Sequence, residues 1–184
     1  HNWTQQADLT ISGGMVGAGG DLVLSANTLW TGGKLLGGGQ TYNTASGRFN
    51  ISGDVFLDRQ IVNNGFMAWN SGNFTTQGAV AVLPQLPPSI TNLTGGMFQI
   101  FSTGVMSSLL SMTLVNYGSI IHYAAPGSVT TISMGFDNNP EPGMPGTLDV
   151  RSGTLNLTGY VAQKEGTTLT GGNWNILSSN ARLL

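Results

Sequence analysis

Apolar and polar residues alternate in short bursts along this chain: Leu9-Thr10-Ile11-Ser12, Leu22-Val23-Leu24-Ser25, Phe49-Asn50-Ile51-Ser52, Leu148-Asp149-Val150-Arg151, Leu155-Asn156-Leu157-Thr158 and Trp174-Asn175-Ile176. A period of two is the pattern of a half-buried β-strand, whose successive side chains point to opposite faces. It turns Leu9, Ile11, Phe49, Ile51, Leu155, Leu157, Trp174 and Ile176 inward, and Asn50, Asn156 and Asn175 outward. Glycine or a β-branched residue interrupts nearly every window long enough to hold three helical turns, so almost no helix is predicted. Between the bursts lie Gly13-Gly14, Gly32-Gly33, Gly37 to Gly39, Gly95-Gly96 and Gly171-Gly172, where the backbone must turn. Asn64-Gly65 has the form of a hairpin turn; most other corners do not.

The bursts also repeat. Thr28-Leu29-Trp30-Thr31-Gly32-Gly33, followed by Gly37 to Gly39, restates 19 residues later the run Thr10-Ile11-Ser12-Gly13-Gly14 with Gly19-Gly20. Trp30 and Trp69 stand 39 residues apart, close to two such periods, with Phe49 and Ile51 near the midpoint. Short strands at a fixed period of about twenty residues predict an all-β solenoid in which equivalent side chains stack on neighbouring coils. The expected fold is a single domain over residues 1–184 with about nine coils of about 20 residues. Two proline-rich excursions interrupt it, near residues 83–89 and 137–146, because proline cannot donate to a strand ladder. Trp30, Trp69 and Trp174 are expected to fill the interior as stacked rings, whereas Tyr42 is more open.

Composition narrows the function classes. Only 8% of the residues are charged, six basic and eight acidic, while the chain holds 28 glycines and its polarity comes from Ser, Thr and Asn. Charges occur singly, without a basic stripe for phosphate backbones, so nucleic acid and anionic membrane surfaces are poor partners. There is no cysteine. Disulfides, cysteine-ligated zinc and thiol nucleophiles are thereby excluded, and no cofactor is expected. No apolar run approaches the roughly 18 residues of a spanning helix. The chain starts with His1, which reads as a processed product or a segment of something longer. The composition points to an extracellular or cell-surface location.

Several stretches resemble the degenerate repeats of large bacterial extracellular β-helix proteins, the haemagglutinin-like and autotransporter-passenger-like adhesins. They are Leu29-Trp30-Thr31-Gly32-Gly33, Phe49-Asn50-Ile51-Ser52-Gly53, Val62-Asn63-Asn64-Gly65, Trp69-Asn70-Ser71-Gly72, Val115-Asn116-Tyr117-Gly118 and Gly153-Thr154-Leu155-Asn156-Leu157-Thr158-Gly159. The resemblance implies a right-handed parallel β-helix at a surface or in the medium, and it transfers no catalytic residue.

Each group with candidate chemistry meets a plainer reading. Asp54, Asp58 and Arg59 are the best local cluster for a general acid and base. Parity places Asp54, Phe56 and Asp58 on one face, so a solvated coil edge, or a corner with an Asp to Arg contact, is the expectation. Asp137, Asn138, Asn139 and Glu141 carry oxygens that suit calcium, but their spacing matches no established loop and reads as an Asx-rich turn. His1 with His122 would suit a copper brace, although nothing else in the chain fits one. Trp30, Trp69, Tyr42 and Trp174 are the aromatics to test for sugar stacking. Five acceptor sequons begin at Asn2, Asn50, Asn73, Asn92 and Asn156, of which Asn50 and Asn156 are the best glycosylation candidates because they point outward.

Neither terminal sequence supplies a capping helix, so the expected partner is another coil, from head-to-tail copies or from a longer parent chain, with glycans as possible ligands. The reading favours a non-catalytic structural protein for adhesion or matrix building. A polysaccharide-binding or polysaccharide-cleaving β-helix is the alternative.

Overall fold

The structure, a computed structural model, describes residues 2–17, 19–76, 89–109, 112–139 and 143–184. No helix occurs among the described residues, and 20 strands join one continuous sheet whose pairings are all parallel. The chain winds as a parallel β-solenoid with three faces per coil. The front face contains Leu9–Ile11, Asn27–Trp30, Arg48–Ser52, Phe66–Ser71, Met97–Ile100, Ser119–Tyr123, the first part of Thr147–Leu157, and Asn173–Ile176. The second face runs from Met15–Gly17 through Phe74–Thr76 and Val129–Ile132 to Ala181–Leu183. The third holds Trp3–Thr4, Leu22–Leu24, Ile90–Asn92, Thr113–Asn116 and Gly135–Asp137. Two long strands, Gly33–Asn43 and Val55–Asn63, pass from the second face into the third.

Register fixes the coil count. Leu9, Thr28, Phe49, Met67, Phe98, Ile120, Leu148 and Trp174 occupy one inward column of the front face, which amounts to about seven turns rather than nine. The period near twenty holds only for the early coils. The step from Met67 to Phe98 takes 31 residues and the step from Ile120 to Leu148 takes 28, because chain is inserted between faces without adding a rung. The first proline-rich excursion falls, apart from Ser89, outside the described residues. The second separates Gly135–Asp137 from Thr147–Leu157, as expected. A third insertion, unmarked by proline, carries a small antiparallel hairpin, Lys164–Glu165 with Thr168–Leu169. At about 4.8 Å per coil the stack rises about 34 Å.

The alternation reads the interior well. Ile11, Phe49, Ile51 and Leu155 are buried, Leu9, Leu157 and Trp174 are half-buried against the same core, and Ile176, on the last rung, is 47% exposed. Asn50 and Asn156 face outward and are half-buried; Asn175 is exposed. Trp30 and Trp69 share a column with Ile51 between them, and both are fully buried. Trp30 lies parallel to Phe49 at 6.0 Å and edge-on to Phe74 at 5.9 Å, so its ring is spent on packing. Trp174 belongs instead to the Leu9 and Phe49 column, and its ring meets Phe136 at 5.7 Å. No single tryptophan ladder runs the length of the core.

Candidate functional site

The polar interior is organised around one column of the third face. Asn43, Asn63, Asn92 and Asn116 are in register on consecutive coils, and Asn138 continues the column. All five are fully buried. Each side-chain Nδ2 donates to the Oδ1 of the next: Asn43 to Asn63 at 2.7 Å, Asn63 to Asn92 at 2.7 Å, Asn92 to Asn116 at 2.8 Å and Asn116 to Asn138 at 2.8 Å. The second hydrogen of each amide goes to a backbone carbonyl where the next coil enters the front face, on Phe66, Met97, Ser119, Thr147 and Asn173 in turn. An asparagine side chain offers two donors and an acceptor, and Asn63, Asn92 and Asn116 use all three along the solenoid axis.

Glycine makes the close approach possible. A Cβ at Gly65 would lie 2.1 Å from the Thr44 carbonyl oxygen, and one at Gly96 would lie 2.4 Å from Asn92 Oδ1. Gly47, Gly118 and Gly146 stand equally close to the asparagine column. Asn64-Gly65 is therefore a corner of this ladder, not the hairpin turn its sequence suggests. The ladder ends toward the N-terminus at Leu24, one coil before Asn43, and Asn43 Oδ1 has no hydrogen-bond partner among the described residues. One coil earlier Gln5 is again buried, donating to the Asn27 carbonyl at 2.7 Å and accepting from Thr28 Oγ1 at 2.9 Å.

The acid and base candidates are drawn apart. Asp54 is exposed at a corner and accepts from the Asn73 backbone N–H at 2.8 Å. Arg59 points the other way, inward, in line with Val55, Leu57, Ile61 and Asn63. Leu36 pairs with Asp58 and Gln40 with Gln60, so the triglycine Gly37 to Gly39 bulges opposite Arg59 alone. Into that space the guanidinium donates to the carbonyls of Leu36 at 3.1 Å and Gln40 at 2.7 Å, one coil away, and of Gly20 at 3.0 Å, two coils away. Burial lowers its pKa, and the Asp21 carboxylate opposes that shift. In place of the expected Asp to Arg corner contact, Arg59 ties three carbonyls with its planar fork.

The calcium candidates serve the scaffold as well. Asp137 Oδ1 accepts from Gln163 Nε2 at 2.6 Å, Asn138 completes the ladder, and Asn139 Nδ2 donates to the Met144 carbonyl at 3.4 Å. Glu141 lies outside the described residues. So does His1. His122 is an inward residue of the front face between Ile100 and Val150, fully buried, with Nε2 at 2.9 Å from Thr130 Oγ1. Thr130 donates in turn to the Ser102 carbonyl. Burial holds the imidazole pKa down to about 4, against a smaller opposing contribution from the Ser152 backbone. His122 is thus a neutral core residue at pH 7. Tyr42 lies outward between Val23 and Val62 and is half-buried.

Among the sequons, Asn92 is sealed in the ladder, Asn2 Oδ1 accepts from the Asp21 N–H and Asn73 Oδ1 from the Val105 N–H. Asn50 and Asn156 stay on outward faces. No helix among the described residues is long and apolar enough to cross a membrane. Comparison with protein-family models, with curated proteins and with solved structures gives no match to this chain.

Proposed function

We infer that this chain is a non-catalytic structural β-solenoid, a module of a cell surface or extracellular filament that serves adhesion or matrix building. Its coils stack on further coils, supplied by other copies or by the same polypeptide. The observation that carries this reading is the asparagine ladder, in which the inner amides of Asn63, Asn92 and Asn116 spend both donors and the acceptor on the neighbouring coils. Between Asn43 and Asn138 each coil repeats the same bonds, so one rule of cohesion runs along the axis. The side chains with most chemical potential support it too. Asp54, Asp137, Arg59 and His122 are each engaged by the scaffold, at separate positions around two coils. An interior that needs no disulfide suits a chain without cysteine, and neutral polar surfaces suit an extracellular location.

Electron microscopy of the purified chain over a wide concentration range tests the assembly. Fibres that lengthen with concentration are expected. Discrete particles of one size at every concentration would overturn it.

A further inference from the structure

The front face carries two register irregularities, and they bracket one outward column. Ile51 pairs with Trp69 but Ser52 with Ser71, so Asn70 is an extra residue in its strand. His122 pairs with Val150 but Tyr123 with Ser152, so Arg151 is a second extra residue. One-residue bulges re-aim the side chain they add, and they cluster beside functional surfaces. Between these two lie Phe101 and Tyr123, their rings 5.5 Å apart and 10° from parallel. The Arg151 guanidinium covers the far side of Tyr123 at 5.3 Å, held by hydrogen bonds to Tyr123 Oη and, at 3.1 Å, to Asp149 Oδ2. Asp149 Oδ1 accepts from Asn175 at 2.9 Å. The stack is therefore braced from one end and neutral overall.

Its other end is open. Phe101 is 39% exposed, and the ring face turned away from Tyr123 looks toward the coil of Asn70, where Asn70 and Ser71 are exposed. Asn70 Nδ2 reaches Ser52 Oγ at 3.4 Å, and among the described residues the Gln99 Nε2 beside Phe101 meets only the Met97 sulfur, at 3.6 Å, a weak acceptor. The surface thus steps down by one coil, about 4.8 Å, from an aromatic wall to a floor of small polar groups. The geometry points to a neutral-saccharide site at this step: one pyranose ring lies with its C–H face on Phe101 and its hydroxyls on Asn70, Gln99 and Ser52.

The chemistry selects that occupant. A ring face with a partial negative charge attracts polarised C–H groups, and amides and hydroxyls bind sugar hydroxyls without charge. A phosphate or sulfate would need a free cation, and Arg151, behind the stack, is engaged with Asp149. The site lies on the side of the solenoid, so it stands whether or not coils stack end to end.

Isothermal titration and saturation-transfer NMR of the full chain with cellohexaose, mannohexaose and xylohexaose test it, with a heparin hexasaccharide as the anionic comparison. Weak binding of at least one neutral hexaose is expected. Phe101→Ala should weaken it at least tenfold, Asn70→Ala several-fold, and Phe101→Trp should retain it. Tyr42→Ala, on the third face, should leave it unchanged. Phe101 is outward, so its variants should melt with the parent; if Phe101→Ala does not, Phe101→Trp and Asn70→Ala decide. Absence of neutral binding, binding confined to heparin, or binding indifferent to Phe101 and Asn70 overturns the proposal.

Discussion

Replacing Asn92 by alanine breaks the ladder at its centre. The side chain accepts from Asn63 at 2.7 Å and donates to Asn116 at 2.8 Å, to the Ser119 carbonyl at 3.1 Å and to the Gly96 carbonyl at 3.2 Å. Its neighbours are not fully orphaned. Asn63 keeps the Met97 carbonyl, and Asn116 Oδ1 keeps the Gly118 N–H. Counting about 1 kcal/mol for each of the two ladder bonds and a further 1 to 3 kcal/mol for partly unsatisfied buried amides, the loss is about 3 to 5 kcal/mol. That is a large share of the roughly 5 to 15 kcal/mol that holds a typical domain together. Guanidinium denaturation followed by the fluorescence of buried Trp30 and Trp69 measures it. Asn92→Asp sharpens the test because it keeps the shape but replaces the donor with an acceptor aimed at Asn116 Oδ1 and the Ser119 carbonyl. Burial raises the folded-state pKa of that carboxyl above its unfolded value, so its penalty is least when protonated at low pH and grows as pH rises through the ordinary carboxyl range. An Asn92→Ala variant within about 1 kcal/mol of the parent, or an Asn92→Asp penalty independent of pH, refutes the ladder as a source of cohesion.

Three further outcomes follow from the same interior. His122 has its pKa lowered to about 4 by burial, so the folded protein binds fewer protons than the unfolded chain below about pH 6.5. The His122 contribution to stability is level above that pH and declines as pH falls toward 4, by up to about 1.4 kcal/mol per unit; in His122→Leu this contribution should vanish, and an equal stability difference from the parent at pH 7 and pH 5 would contradict the assignment. Arg59→Ala should cost about 2 to 4 kcal/mol and Arg59→Lys should restore only part, since an ammonium cannot reach the carbonyls of Gly20, Leu36 and Gln40 together; full rescue by lysine in the same denaturation assay counts against it. Gly65→Ala should destabilise by about 3 kcal/mol, because its Cβ would press on the Thr44 carbonyl, whereas Gly13→Ala, with nothing within 4 Å, should stay within about 0.5 kcal/mol of the parent, as thermal melting would report.

The fold was legible because its two strongest signals are local. Period-two alternation at Phe49-Asn50-Ile51 depends only on adjacent residues, and the glycine-rich repeat from Thr10 to Gly33 spans a single coil. The coil count was not, since insertions after Thr76, Asp137 and Leu157 lengthen a turn without adding a rung, and only strand pairing distinguishes the two. In sequence Arg59 stands beside Asp58 and reads as its partner, because a charge at an inward position breaks the expected pattern; the triglycine that accommodates it lies on the previous coil. Trp174 resembles Trp30 and Trp69 by residue type alone, since it sits one inward position earlier on its strand. The ladder left a weaker trace. Asparagine recurs shortly before glycine at Asn43 and Gly47, Asn63 and Gly65, Asn92 and Gly96, and Asn116 and Gly118, but the changing gap makes each pair look like an ordinary turn. Phe101, Tyr123 and Arg151 become neighbours only through register across coils of unequal length.

Hydrogen exchange of the asparagine side-chain amides, followed by NMR in the intact chain, tests the ladder most directly. Asn43, Asn63, Asn92, Asn116 and Asn138 should be strongly protected, and the amides of Asn50 and Asn156, on the outward faces, should exchange at once. Exchange of the five buried amides as fast as those two would show that no continuous amide column joins the coils.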